Sequence, residues 1–201
     1  MIWRDGTLVS PGQGGVYGER MRGGYRVWDP RRSKLAALAH LDREFDLESG
    51  LRVLYLGAAN GTTVSHVADY AEVVYGVEFA PRPMQDLLAV ARRRQNIVPI
   101  LADANRPEQY AHLLESVDLL VQDVAQPHQA AIAVRNRPFL RPGGRLILML
   151  KIRSIDQGRS LDDIGAEAMA SLEAGGYSVE SSRPLLPYHR DHLAILARRG
   201  T

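Results

Sequence analysis

The sequence predicts an α/β fold in which a mostly parallel sheet of seven strands carries helices on both faces, and three observations predict it. From residue 29 onward short apolar runs alternate with helix-like stretches, the runs are nearly continuous in apolar residues, and helix-boundary residues fall between them. The strand candidates are Arg52 to Gly57, Val73 to Glu78, Ile97 to Leu101, Val117 to Gln122, Arg145 to Ile152, Ser178 to Ser182 and Leu193 to Ala197. Unbroken apolar strands imply burial on both faces, which right-handed crossovers supply by placing helices above and below the sheet. Pro127 suits the first turn of a helix, Ser160 with Asp163 forms a capping-box pattern, and Gly175-Gly176 suits that helix's end. Residues 1–28 read as a short glycine-rich β segment with a hairpin at Asp5-Gly6 between Ile2-Trp3 and Leu8-Val9. The main domain is then expected over residues 29–201.

With 201 residues, 45% of them hydrophobic and 24% charged, the chain is long enough to bury one sizeable core and is not composed like a disordered protein. The absence of cysteine excludes disulfides, thiolate metal sites and cysteine nucleophiles. No secretory leader or membrane span is readable, because charge and glycine precede any apolar run and Leu146 to Leu150 is too short; a cytoplasmic protein with no membrane partner is expected. The net charge is only +2, yet Arg20, Arg22, Arg26, Arg31, Arg32 and Lys34 make one stretch locally basic, as do Arg92-Arg93-Arg94. Phosphate would suit such stretches, and so would plain solvent.

Leu54 to Thr63 reads as a strand running into a glycine turn and then a helix, and Glu78 closes the next strand where doubly wound folds present an acid to ribose hydroxyls. The turn is not G-x-G-x-x-G, since Ala59 and Thr62 replace its second and third glycines, so a pyrophosphate-bearing dinucleotide is disfavoured. Rossmann-like methyltransferases bind a ligand without phosphate and do not need the full glycine set. On that reading Thr62 and Thr63 serve the amino-acid end of the ligand, Phe79 covers the adenine ring and Asp103 accepts from its amino group. Asp123 and Gln126 follow the fourth strand, where ligand and substrate should meet.

Only Lys34 and Lys151 are lysines among the 25 basic residues. A lysine kept in so arginine-rich a chain is a candidate for chemistry that guanidinium cannot perform, because an ammonium can lose its proton. Burial and a neighbouring cation favour the neutral amine, and a carboxylate opposes it. Lys34 opens the helix leading into the domain, and Lys151 ends an apolar strand. His192 begins the last strand. His40, His66, His112 and His128 read as helix-face or loop residues without metal-ligand spacing, so no metal is expected.

Several stretches together resemble the archaeal fibrillarin family: Gly15 to Arg20, Tyr25 to Pro30, Arg32 to Ala37, Gly57 to Thr63, Tyr75 to Phe79, Asp123 to Pro127, Lys151 to Asp156 and Tyr188 to His192. The match runs along nearly the whole chain. It implies a class I S-adenosylmethionine-dependent methyltransferase acting on the 2′-hydroxyl of RNA ribose, in pre-rRNA and also tRNA. It further implies a catalytic set of Lys34, Asp123, Lys151 and His192, with cofactor contacts from Gly57, Ala58, Thr62, Thr63, Glu78, Phe79, Asp103, Ala104, Asp123, Val124, Ala125 and Gln126. The implied partners are a box C/D guide RNA and its target RNA, a Nop-domain scaffold protein and a kink-turn-binding ribosomal-type protein. The N-terminal β region is shorter than the family's. Two rival readings use the same fold, a small-molecule or unguided RNA methyltransferase and a non-enzymatic ribonucleoprotein assembly subunit.

Overall fold

The computed structural model describes residues 1–156 and 158–200. Its N-terminal strands β1 (Ile2–Arg4), β2 (Thr7–Ser10), β3 (Met21–Arg22) and β4 (Tyr25–Val27) form an antiparallel sheet in the order β1-β2-β4-β3. The expected hairpin is present: Asp5 and Gly6 join β1 to β2 with φ of 44° and 73°, the double positive that a two-residue turn between twisted strands requires. This sheet does not stand apart. Leu8 and Trp28 are buried in the same cluster as Leu35 and Leu38.

The remaining strands are β5 (Arg52–Leu56), β6 (Val73–Glu78), β7 (Ile97–Leu101), β8 (Val117–Gln122), β9 (Leu140–Lys151), β10 (Tyr177–Pro184) and β11 (His192–Arg199). They make one seven-stranded sheet, ordered β10-β11-β9-β8-β5-β6-β7, in which β5 to β9 run parallel and the terminal hairpin antiparallel. The helices are α1 (Lys34–Leu41), α2 (Thr62–Ala68), α3 (Pro81–Ala91), α4 (Gln129–Asn136) and α5 (Leu161–Ala174). Side chains alternate cleanly across the sheet: Tyr55, Val121, Ile147, Met149 and Ala194 pack with α1, α2 and α3, while Leu54, Leu120, Leu148, Leu150 and Ile195 pack with α4 and α5. None of the described helices is long and apolar enough to cross a membrane.

The strand order reverses between β5 and β8, and a crevice opens beyond their carboxyl ends at that point. Gly57 makes the junction possible. Its φ is +81°, and a Cβ there would collide with the carbonyl oxygen of Asp123.

The structure amends four local expectations. Strand β9 begins at Leu140, because Arg141-Pro142-Gly143-Gly144 forms a bulge: register steps from Val117↔Leu140 to Leu119↔Arg145, with Gly143 at φ +70°. Pro127 precedes α4 rather than sitting in its first turn, since the first helical bond runs from Ile132 back to the His128 carbonyl. His66 is on a helix, but on its inner face, fully buried and stacked on Trp28 with ring centroids 5.0 Å apart. Arg26, counted in the basic stretch, is also fully buried, where Glu19 and Asp69 neutralise it at 2.6 and 2.7 Å. The capping box at Ser160 is as expected: its hydroxyl accepts from the Asp163 N–H at 3.1 Å and donates to the Asp163 carboxylate at 2.7 Å.

Candidate active site

The crevice has two lobes that share Gly57, Ala59 and Asp123. One, of about 320 Å³, is walled by Glu78, Phe79, Ala104, Val124, Ala125 and Gln126. Phe79 leaves 67% of its surface uncovered, an aromatic face with room for a flat ring against it. Glu78 ends β6 with its two carboxylate oxygens accepting from the N–H groups of Ala59 and Ala80, both at 2.8 Å. Each oxygen keeps a lone pair for a hydroxyl. Ala102 and Ala104 line the wall on either side of Asp103, which itself accepts from the Asn105 N–H at 2.9 Å and is not part of the lining.

The second lobe, of about 310 Å³, is walled by Arg32, Lys34, Tyr55, Ala58, Thr62, Thr63 and others at the start of α1 and α2. Here Lys34 Nζ donates to both oxygens of Asp123, at 2.8 and 2.9 Å. Each partner's side chain is 21% exposed, so the pair stays open to an incoming substrate. Both contacts are charge-assisted and go to the one carboxylate, so Lys34 and Asp123 form a mutual pair in the lining of this lobe. Ser33 caps α1, accepting from the Ala36 N–H, and receives the Thr63 hydroxyl at 3.2 Å, which ties the two helix starts together. Tyr55 is buried beneath; burial and then the Asp123 charge push its hydroxyl well above its usual range, against a Thr63 hydrogen bond.

Lys151 and His192 arrive from the adjacent strands. They are partners across β9 and β11, and by alternation they share the sheet face that carries Val121, Met149 and Asp123. Burial lowers the His192 imidazole below its ordinary value, a bond to the Arg190 carbonyl opposes that, and the Lys34 charge reinforces it. Because a carbonyl can only accept, the 2.6 Å contact puts the His192 proton on Nδ1 and leaves Nε2 bare. Neither Lys151 nor His192 is among the residues lining the two lobes. The Lys151 backbone is nonetheless held on both sides. Its N–H donates to Gln129 Oε1 at 2.9 Å, its carbonyl accepts from Gln129 Nε2 at 3.0 Å, and the Gln129 carbonyl accepts from Gln122 Nε2 at 2.6 Å. These two buried glutamines were not expected from the sequence, where nothing distinguishes them from surface glutamines. Arg32 and Tyr55 were likewise missed as cleft residues.

Among the described residues no three His, Asp or Glu side chains gather as a metal site.

The fibrillarin family model matches residues 7–200. A fibrillarin-like rRNA/tRNA 2′-O-methyltransferase of Methanoculleus marisnigri is 63% identical over 199 residues, spanning 99% of both chains. The fold superposes on a chain in the crystal structure of a fibrillarin/Nop5p complex with TM-score 0.91 at 41% identity, covering 98% of this chain and 95% of that one. Fibrillarin of Aeropyrum pernix, crystallised with natively bound S-adenosyl-L-methionine, gives TM-score 0.82 at 49% identity, covering 94% and 85%.

Proposed function

The chain belongs to the fibrillarin family, and on that premise we propose how its cleft carries out S-adenosylmethionine-dependent 2′-O-methylation of RNA ribose, in rRNA and tRNA. When bound, the cofactor supplies a methyl group made electrophilic by a sulfonium. Glu78 and Phe79 hold its ribose and adenine, with Asp103 at the ring's edge, while Gly57, Ala58, Thr62 and Thr63 receive its amino-acid end. Ala104 and the Asp123 to Gln126 segment close the opposite wall. The exposed aromatic, the spare carboxylate lone pairs and lobes within the usual size range of ligand pockets support this fit.

Lys151 takes the proton of the ribose 2′-hydroxyl. Asp123 orients that hydroxyl, Lys34 holds Asp123, and His192, neutral and with Nε2 bare, supports the arrangement as a further acceptor. The observation that carries this assignment is the Lys34–Asp123 pair: it commits one lysine to its charge and leaves the other for proton removal. Alignment and proton removal then supply most of the rate.

The protein works in the cytoplasm with a Nop-domain scaffold, and a box C/D guide RNA selects the target through base pairing, with a kink-turn-binding ribosomal-type protein completing the particle. The test supplies labelled S-adenosylmethionine and a guide-complementary RNA, with and without these partners. Alkali-resistant ribose methylation that depends on them is the expected result. Methylation of small acceptors without any RNA would overturn the substrate assignment. No cofactor binding at all would reduce the chain to an assembly subunit, whereas a binder at 100 times its Kd gains about 2.7 kcal/mol of stability.

A further inference from the structure

Arg32 is the basic residue of the cleft that meets no carboxylate among the described residues. Its guanidinium lies 4.5 Å from the centroid of the Tyr17 ring, and among the described residues it has no carboxylate or side-chain hydrogen-bond partner. Lys34, two residues on, is committed to Asp123, and Arg26 to Glu19 and Asp69. Arg32 walls the lobe that holds Lys34 and Asp123, and it also walls an adjoining cleft of about 180 Å³ with Arg20, Glu19 and Asp29, of which Glu19 is buried and paired with Arg26 and Asp29 accepts from the Arg31 N–H. It is the residue common to that lobe and a second hollow, which shares no lining residue with the adenine lobe.

Tyr17 is a prepared platform for it. The Ser10 hydroxyl spends its proton on Asp69 Oδ2 at 2.6 Å, so Ser10 Oγ accepts from His66 Nδ1 at 2.8 Å. That leaves His66 Nε2 bare to accept the Tyr17 hydroxyl at 2.6 Å. Burial, helped by the Arg26 charge, holds His66 neutral with its pKa near about 2, and burial raises the Tyr17 hydroxyl to about 12. The Tyr17 backbone is pinned as well, its N–H donating to Glu19 at 3.0 Å. The result is a neutral, fixed ring under a guanidinium whose planar fork of donors is free to match a phosphate.

We propose that Arg32 binds a backbone phosphate of the target strand next to the ribose being methylated, and that Tyr17 is the positioning residue that aims it. This rests on the RNA methylation reading and adds the residue that registers the strand. The carboxylate of the methyl donor has the same anionic chemistry, but Arg32 continues into a second cleft where, with Glu19 spent on Arg26, Arg20 and Arg32 outnumber Asp29, and this favours a polyanion that extends past the site.

The test uses the assembled particle with its scaffold and guide RNA, and a synthetic target carrying one neutral methylphosphonate on the 5′ or the 3′ side of the target nucleotide. Arg32→Gln should weaken target binding and raise KM about tenfold, with kcat and cofactor affinity near wild type. The slope of log affinity against log salt should fall by about one. Arg32→Lys should restore the slope but only part of the affinity, and Tyr17→Phe should raise KM without changing the slope. On the methylphosphonate of the contacted side, wild type should drop to the level of Arg32→Gln, which itself loses nothing more. Equal salt slopes for wild type and Arg32→Gln, additive losses at both methylphosphonates, or a loss confined to cofactor affinity would each overturn the inference. A wild-type particle that transfers no methyl would refute the catalytic reading, while the binding arm still decides the role of Arg32.

Discussion

Two ion-pair networks in this molecule use charge in opposite ways. Around Arg26 the side chains of Arg26, Glu19 and Asp69 are 0%, 1% and 2% exposed, whereas Lys34 and Asp123 at the cleft are each 21% exposed. The first network fastens the N-terminal segment to α2: Arg26 reaches the Ser65 carbonyl and hydroxyl at 2.9 and 2.8 Å, and Arg94 joins through Asp69 at 2.8 Å. Its charges are out of water and satisfied by one another. The second has few partners and an open side, so its charges remain available to a substrate. On the proposed assignment, burial more than the presence of an ion pair separates structural charge from chemical charge.

The comparison can be broken first at Arg26. Arg26→Ala strands Glu19 and leaves Asp69 underpaired in the interior, and should cost about 3–5 kcal/mol in urea unfolding. Asp123→Asn, in the open network, should change stability by no more than about 1 kcal/mol while slowing methyl transfer about 10²-fold under single-turnover conditions. A reversed pattern would mean that burial does not sort the two networks.

Acid sharpens the same contrast. Below the ordinary histidine value of 6.5, an unfolded chain protonates residue 66, while the native imidazole, held near about 2 by burial and then by Arg26, does not. Stability present at neutral pH is therefore lost as pH falls through 6.5, with a slope approaching about 1.4 kcal/mol per pH unit. Glu19 adds to the loss from about pH 4.5 downward: burial disfavours its ionisation, but the Tyr17 N–H and the Arg26 guanidinium outweigh that and hold it near about 2. Unfolding of His66→Gln should show a shallower pH dependence between pH 6.5 and 4.5, the remainder coming from His40, His189 and His192, whose pKa burial also lowers. The smallest effect is expected at the α5 cap, whose hydrogen bonds join Ser160 to Asp163 and reach neither network, where Ser160→Ala should cost about 1 kcal/mol in thermal unfolding and leave methylation unchanged.

Much of this was legible in the sequence, for a physical reason. Val73–Glu78, Ile97–Leu101 and Val117–Gln122 coincide with the strands because apolar runs there stop at polar or turn-forming residues where the chain leaves the core. Lys34 and Lys151 could be singled out because arginine fills every other Lys/Arg position, and of the two the fold sets Lys34 in the lining of the cleft. Arg26 could not be sorted from its neighbours, since its partner Asp69 lies 43 residues away and only the fold brings it close. Gln129 escaped notice for a related reason. Its role is a pair of bonds to the Lys151 backbone, which leave no signature in residue type or spacing.

The most direct measurement concerns the proton at residue 151. Single-turnover methylation in the assembled particle should fall by about 10²–10⁴ in Lys151→Ala and stay as low in Lys151→Arg, with cofactor-induced thermal stabilisation intact in both. An arginine variant that methylates at the wild-type rate would contradict the assignment, because a guanidinium that keeps its proton cannot remove one from the ribose.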